Sequence, residues 1–164
     1  YNTGDYMEIF LKDLKLERVN FFDEKKINYI EGLLDDELIK KYLGYLKDGI
    51  SISKNIGYLN SHYVVKRGSN NVGYLYLSPP FIKDKRTSSE IRYAIDSLYR
   101  QSGLGNLLVK EISDYILENE NIDSLVAIIQ KQNLISKHIV ENNGYIQDGE
   151  DIDGLIFEKS SFRR

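Results

Sequence analysis

Apolar positions along this chain recur with two different periods. Residues 23–46 carry Ile27, Ile30, Leu33, Leu34, Leu38, Ile39, Leu43 and Leu46 at helical spacing, with Gly32 and the acidic residues 35–37 as a break, so the spacing predicts two helices. Residues 63–66 and 72–77 are β-rich runs on either side of a GSNN turn, which predicts a hairpin. Further on, Ile91, Tyr93 and Ile95 alternate with Glu90, Arg92, Ala94 and Asp96, so one strand presents an apolar and a more polar face. Leu104, Leu107, Leu108, Ile112, Tyr115 and Ile116 return to helical spacing, and SLVAII at 124–129 is a continuous apolar run that suits a strand covered on both faces. Asn133 opens another helix through Leu134, Ile135, Ile139 and Val140, and Gly144 stands where a left-handed cap would end it. Short alternations within 7–19 predict an opening strand, and two more are expected near 145–147 and 155–158. The Pro79-Pro80 pair leads into IKDKRTSS, read as a surface loop. The expected order is strand, two helices, three strands, helix, strand, helix, two strands. That is an α+β fold with a mixed sheet covered by helices, as one domain over residues 1–164.

Composition narrows this picture. A chain of 164 residues, 41% hydrophobic and 29% charged, can bury a core without metal or disulfide support. No apolar run approaches the roughly 20 residues that a spanning helix needs. The first ten residues, YNTGDYMEIF, lack a basic segment leading into an apolar one, so a cytoplasmic location is expected. Met7 is a candidate native start, which would leave residues 1–6 outside the domain. The absence of cysteine excludes disulfides, thiolate metal sites and a cysteine acyl-enzyme. A net charge of -3, with only the short basic clusters KDKR and FRR, argues against nucleic acid and favours a cationic partner. His62 and His138 stand apart without ligand spacing, so no metal is expected.

The densest chemical signal is RQSGLGN at 100–106, two glycines one residue apart at the mouth of an apolar helix. A turn of this kind leaves backbone N–H groups unpaired at the positive end of the helix dipole, where an anion is stabilised. A P-loop is excluded because no Lys-Ser/Thr follows the second glycine. A dinucleotide fingerprint would need a small residue in place of Leu108 and an early strand-helix-strand repeat that the chain lacks. Taken alone, the turn is equally consistent with glycines that only relieve backbone strain.

The surrounding residues add a resemblance. EIRYAIDSLYRQSGLGNLLV resembles motif A of the GCN5-related N-acetyltransferases (GNAT), in which an Arg/Gln-x-x-Gly-x-Gly/Ala loop binds acetyl-CoA; Arg100, Gly103 and Gly105 fill that pattern. The strand before it is similar to the ribosomal-protein acetyltransferase type, with Glu90, Ile91, Tyr93, Ile95, Asp96 and Tyr99 in place and Ser97 where that type has proline. NLISKHIVENNGY is similar to the family's second block through Asn133, Ser136, Val140, Gly144 and Tyr145. The likeness covers residues 90–149 well and the first half only by element order.

The resemblance implies a GNAT fold with a central sheet of about seven strands and about four helices. It implies that the strand of Glu90 and the strand at 125–129 splay apart, so that the pantetheine arm of acetyl-CoA pairs with exposed backbone. The main chain of Ser102, Gly103, Leu104, Gly105 and Asn106, next to Gln101, would hold the diphosphate, with Arg100 adding charge and Asn133 a further contact. A backbone N–H near Ile95 would polarise the thioester carbonyl. With no cysteine, a primary amine is expected to attack directly in a ternary complex. Such an amine must first lose a proton, and Glu90 is the leading base with Asp96 second. The tyrosine that many relatives use on the second helix is replaced by Val140, so Ser136 inherits the protonation of the leaving thiolate. Asp148 and Glu150, in the acidic run between the last two strands, would with Glu90 receive a cationic acceptor, either a small amine or a protein N-terminus. A solvated acidic turn is the plainer reading of that run. Tyr42, Tyr45 and Tyr58 are candidates to line the acceptor cleft, and a homodimer is a further expectation. A catalytically silent acyl-CoA-binding regulatory module is the alternative.

Overall fold

A computed structural model of the chain describes residues 8–20, 22–43, 45–55, 61–119 and 121–161. In chain order the elements are β1 (Glu8–Phe10), β2 (Lys15–Arg18), α1 (Glu24–Leu34), α2 (Glu37–Leu43), α3 (Tyr45–Asn55), β3 (His62–Arg67), β4 (Asn70–Leu77), β5 (Phe81–Lys83), β6 (Arg86–Ile95), α4 (Leu104–Asn119), β7 (Ser124–Ile129), α5 (Leu134–Asn142), β8 (Ile146–Asp151) and β9 (Gly154–Ser160). The described residues thus hold nine strands and five helices, more than the seven and four expected, within the mixed α+β arrangement that the pattern predicted. The chain groups into two compact units. The N-terminal unit is Asn2–Tyr76 with Tyr93–Gln101, and the C-terminal unit is Leu77–Arg92 with Ser102–Arg164.

In the N-terminal unit β1, β2, β3 and β4 pair antiparallel in that order. The expected single opening strand is a hairpin, closed where Leu11 N–H donates to Leu14 O at 2.9 Å. The helical break falls where Gly32 and the acidic run placed it, α1 ending at Leu34 and α2 starting at Glu37. Leu46, assigned from spacing to the second helix, belongs to a third, α3. Ile27, Ile30, Leu34, Ile39, Leu46 and Ile50 from these helices bury themselves against Val64, Tyr74 and Ala94 of the strands. Each such aliphatic side chain contributes about 1.5–3 kcal/mol of apolar transfer. Gly73 is required here, because a Cβ on it would lie 2.5 Å from Ala94 O on β6.

In the C-terminal unit β5 and β6 form a hairpin where the sequence suggested a loop. Asp84 (φ 51°) and Lys85 (φ 65°) both take left-handed backbone, the pattern of a two-residue type I′ turn. β7 runs parallel to β6 and antiparallel to β9, and β9 pairs antiparallel with β8. Leu104, Leu108, Ile112 and Ile116 make one buried stripe along α4, and Ser113 Oγ bonds Tyr145 Oη at 2.7 Å. α5 ends as predicted, with Gly144 at φ 86° and its N–H on Glu141 O. No helix among the described residues is long and apolar enough to cross a membrane.

Candidate active site

Two features bear on the expected coenzyme site, the glycine turn and a strand ladder. α4 begins at Leu104, directly after Gly103, which is exposed and holds φ 82°. Glycine alone takes that conformation without strain. The first return bond of the helix is Leu107 N–H to Gly103 O at 3.0 Å, so the N–H groups of Leu104, Gly105 and Asn106 have no acceptor within the helix. The first turn carries no acidic side chain, and buried Leu104, 2% exposed, anchors it to the core. Asn106 Oδ1 accepts from Asn143 Nδ2 at 3.0 Å, tying the start of α4 to the end of α5.

The second feature is a ladder that stops early. β6 and β7 pair in parallel from Ser88↔Ser124 to Ile91↔Ala127, yet β6 runs on to Ile95 and β7 to Ile129. Past that pair the β6–β7 register has no further partners among the described residues.

Glu90 and Asn133 of this unit already hold partners within the chain. Glu90 sits on β6 with its main chain held by Ser78: its N–H donates to Ser78 Oγ at 2.8 Å, and its carbonyl accepts from Ser78 N–H at 2.9 Å. Its carboxylate, with 16% side-chain exposure, accepts from Arg92 Nε at 2.6 Å, while Oε1 has no partner among the described residues. Asn133 caps α5, its Oδ1 accepting from Ser136 N–H at 3.3 Å, and this leaves the half-buried Ser136 hydroxyl beside the cap.

Asp148 and Glu150 are placed differently from the expectation. They lie within β8, and the connection to β9 is only the pair Ile152 and Asp153. Asp148 accepts from Lys83 Nζ at 2.7 Å, which holds its carboxyl below the usual range, and Glu150 pairs with Lys131 at 2.7 Å. Both acids are exposed, but each already carries an ammonium.

The other candidates belong to the N-terminal unit. Asp96 N–H donates to Val72 O at 2.9 Å, facing β4, so strand alternation turns the Ile95 N–H to the opposite edge of β6. The Asp96 carboxylate caps a 3-10 turn through Leu98 N–H (3.0 Å) and accepts from Tyr29 Oη at 2.9 Å. Burial, with that carboxylate second, pushes the Tyr29 phenol up, so it stays a neutral donor. Asp96 lines a cavity of about 440 Å³ with Tyr29, Leu33, Asp35 and Asp36. Arg100 turns to Asp36, and Gln101 follows it with φ 60°. His62 is buried, with Nδ1 2.8 Å from Tyr74 Oη, and burial lowers its pKa to about 4, so it is a neutral core residue. Tyr42 lies in the last turn of α2 and Tyr45 starts α3, while Tyr58 lies outside the described residues.

Sequence reasoning missed Arg92, Ser78, Tyr29 and Asp36. Arg92 was findable, since it shares the face of Glu90 two residues on. Ser78 and Asp36 had no local signal, because their contacts depend on pairing across 12 and 64 positions.

A family model described as the acetyltransferase (GNAT) domain matches residues 12–146, a span that runs through both units. The chain belongs to this acetyltransferase family. Among solved structures, the aminoglycoside N(6')-acetyltransferase from Legionella pneumophila is similar with a TM-score of 0.75 at 13% identity, over 93% of this chain and 94% of that one. AAC(6')-Ib in complex with paromomycin and acetyl-CoA is similar with a TM-score of 0.72 at 13% identity, over 91% and 94%. The ribosomal-protein-S5-alanine acetyltransferase from Vibrio fischeri is similar with a TM-score of 0.67 at 14% identity, over 96% and 98%. No curated protein matches the sequence.

Proposed function

We propose that this protein transfers the acetyl group of acetyl-CoA to a primary amine, by direct attack in a ternary complex. The observation that carries the reading is the β6–β7 ladder ending at Ile91↔Ala127 while both strands continue. Unspent strand edges accept an extended, amide-bearing chain as an added strand would be accepted. The start of α4 suits a diphosphate, because three N–H groups have no acceptor within the helix, Gly103 has no side chain to cover them, and the first turn carries no acidic side chain. The coenzyme supplies an activated thioester.

The chain's own residues then divide the work. Backbone N–H groups at 103–106 bind, with Ser102, Gln101 and Arg100 at the entry to the turn. The Ile95 N–H meets the developing charge on the carbonyl oxygen, a contribution of about 3 kcal/mol for a well-aimed donor. Glu90 takes the ammonium proton through Oε1, which has no partner among the described residues, directly or by one water, with Asp96 as second choice. As the nitrogen–carbon bond forms and the carbon–sulfur bond breaks, Ser136 gives the thiolate its proton and regains one from the acylated nitrogen, directly or through water. Asn133 keeps that hydroxyl in place by capping the same helical turn. The domain is read as a single catalytic one over 1–164.

The acceptor is read as a small cationic amine or a protein N-terminus, in line with the aminoglycoside and S5-alanine enzymes among the similar structures. Asp148 and Glu150 would receive a cation only by exchange with Lys83 or Lys131. The experiment is free-thiol release from acetyl-CoA across peptides, polyamines and aminoglycosides. Turnover with one acceptor class supports the reading, and binding of acetyl-CoA without turnover on any class sinks the catalytic part. The partners already held by both candidate bases favour a second reading, a silent acyl-CoA-binding module. That module predicts unchanged function when Glu90 or Ser136 is replaced.

A further inference from the structure

Asn143 follows α5, and its amide nitrogen donates twice, to Ile139 O at 2.9 Å and to Asn106 Oδ1 at 3.0 Å. The first of these bonds fixes which way the Asn143 amide lies. Ile139 offers a main-chain carbonyl, which only accepts, so the Nδ2 end must face it and Oδ1 is turned away. Asn106 then has to present its own oxygen to Asn143, and its Nδ2 is left without a partner among the described residues. Both asparagines lie in the C-terminal unit, as does the turn at 102–106.

The place of Asn106 gives that orientation a consequence. Gly103 O accepts the first return bond of α4, which makes Gly103 the N-cap and Asn106 the third residue of the helix. Side chains on a helix lean toward its N-terminus, and an acceptor at this third position reaches back to the unpaired main-chain N–H of the cap residue, as in a capping box. An asparagine there, free to rotate, would turn Oδ1 onto that N–H and close the start of the helix with its own carbonyl. In this structure the exposed Asn106 gives its oxygen to Asn143 instead. We propose that Asn143 is a positioning residue for coenzyme binding that acts through Asn106: it keeps the start of α4 uncapped and leaves the Asn106 amide N–H groups as side-chain donors to the diphosphate. This rests on the acetyl-CoA reading above.

The test is calorimetric binding of acetyl-CoA, and of S-acetylpantetheine, which lacks the diphosphate, to wild type, N143A, N106A and the N106A/N143A double variant. Asn143→Ala is expected to weaken acetyl-CoA about fivefold, in the range of one net hydrogen bond, and Asn106→Ala by no more than that. In the N106A background the further change N143A should cost nothing, and S-acetylpantetheine should bind all four proteins alike. Equal acetyl-CoA binding by wild type and N143A, or an N143A loss that persists in the N106A background, overturns the proposal. So does an equal loss for S-acetylpantetheine, which marks a role in the fold alone. Wild-type protein that binds no acetyl-CoA overturns the coenzyme reading as well, whereas acetyl-CoA binding that N143A leaves unchanged overturns this proposal alone.

Discussion

The two long helices of the C-terminal unit begin in opposite ways. α5 starts on Asn133, whose side chain satisfies the Ser136 N–H from within the chain. α4 starts on Gly103, which has no side chain, has open space where one would point, and is held at a φ that disfavours any other residue. One start has a side-chain cap from within the chain. The other has none from Gly103, and its first N–H groups find no acceptor within the helix.

That contrast can be broken in order of effect. Gly103→Asp fills the open start with a carboxylate cap. Acetyl-CoA affinity should fall about a hundredfold or more, because a like charge now faces the diphosphate. Stability should shift by only about 1 kcal/mol, since the cap gained offsets the left-handed strain. Calorimetry together with a melting curve checks both, and equal losses in the two would contradict a binding role. Glu90→Gln should lower kcat about a hundredfold while leaving coenzyme affinity within about threefold, as expected of a lost base.

At the other start, Ser136→Ala keeps the N–H that Asn133 caps and removes only the hydroxyl. A kcat lower by about tenfold with little change in coenzyme KM marks a proton donor, and no change would remove Ser136 from the chemistry. Asn133→Ala should destabilise the protein by about 1 kcal/mol, and Asn133→Asp should restore most of it, read by urea denaturation. The smallest effect is at Gln101, a non-glycine residue at φ 60°. Gln101→Gly should move stability by no more than about 1 kcal/mol, with relief of strain opposed by added chain entropy.

What the sequence made legible follows from where local chemistry decides structure. The α4, β7 and α5 boundaries were readable because glycines, a continuous apolar run and an asparagine cap act within a few residues. The β5–β6 hairpin was not, because its turn residues are Asp84 and Lys85, which take positive φ without the Asn-Gly signal. β8 was cut short for a different reason. All six of its residues are exposed, so no alternation marks it, and backbone pairing with β9 alone makes it a strand. The third helix was missed because the spacing of Leu46 continues that of α2. At the candidate site, residue types were readable while their engagements were not. Nothing local announces that Arg100 meets Asp36, or that Asp148 meets Lys83.

The Lys83 cluster bears on the protein's own susceptibility to acylation. Lys83 sits among Asp148, Glu158 and Asp84 at 2.7, 3.1 and 3.2 Å, and these bonds, Asp148 foremost, outweigh burial and hold its ammonium well above the ordinary lysine range. An ammonium so held gives up its proton less readily than an ordinary lysine, and only the neutral amine has a lone pair to offer an acyl donor.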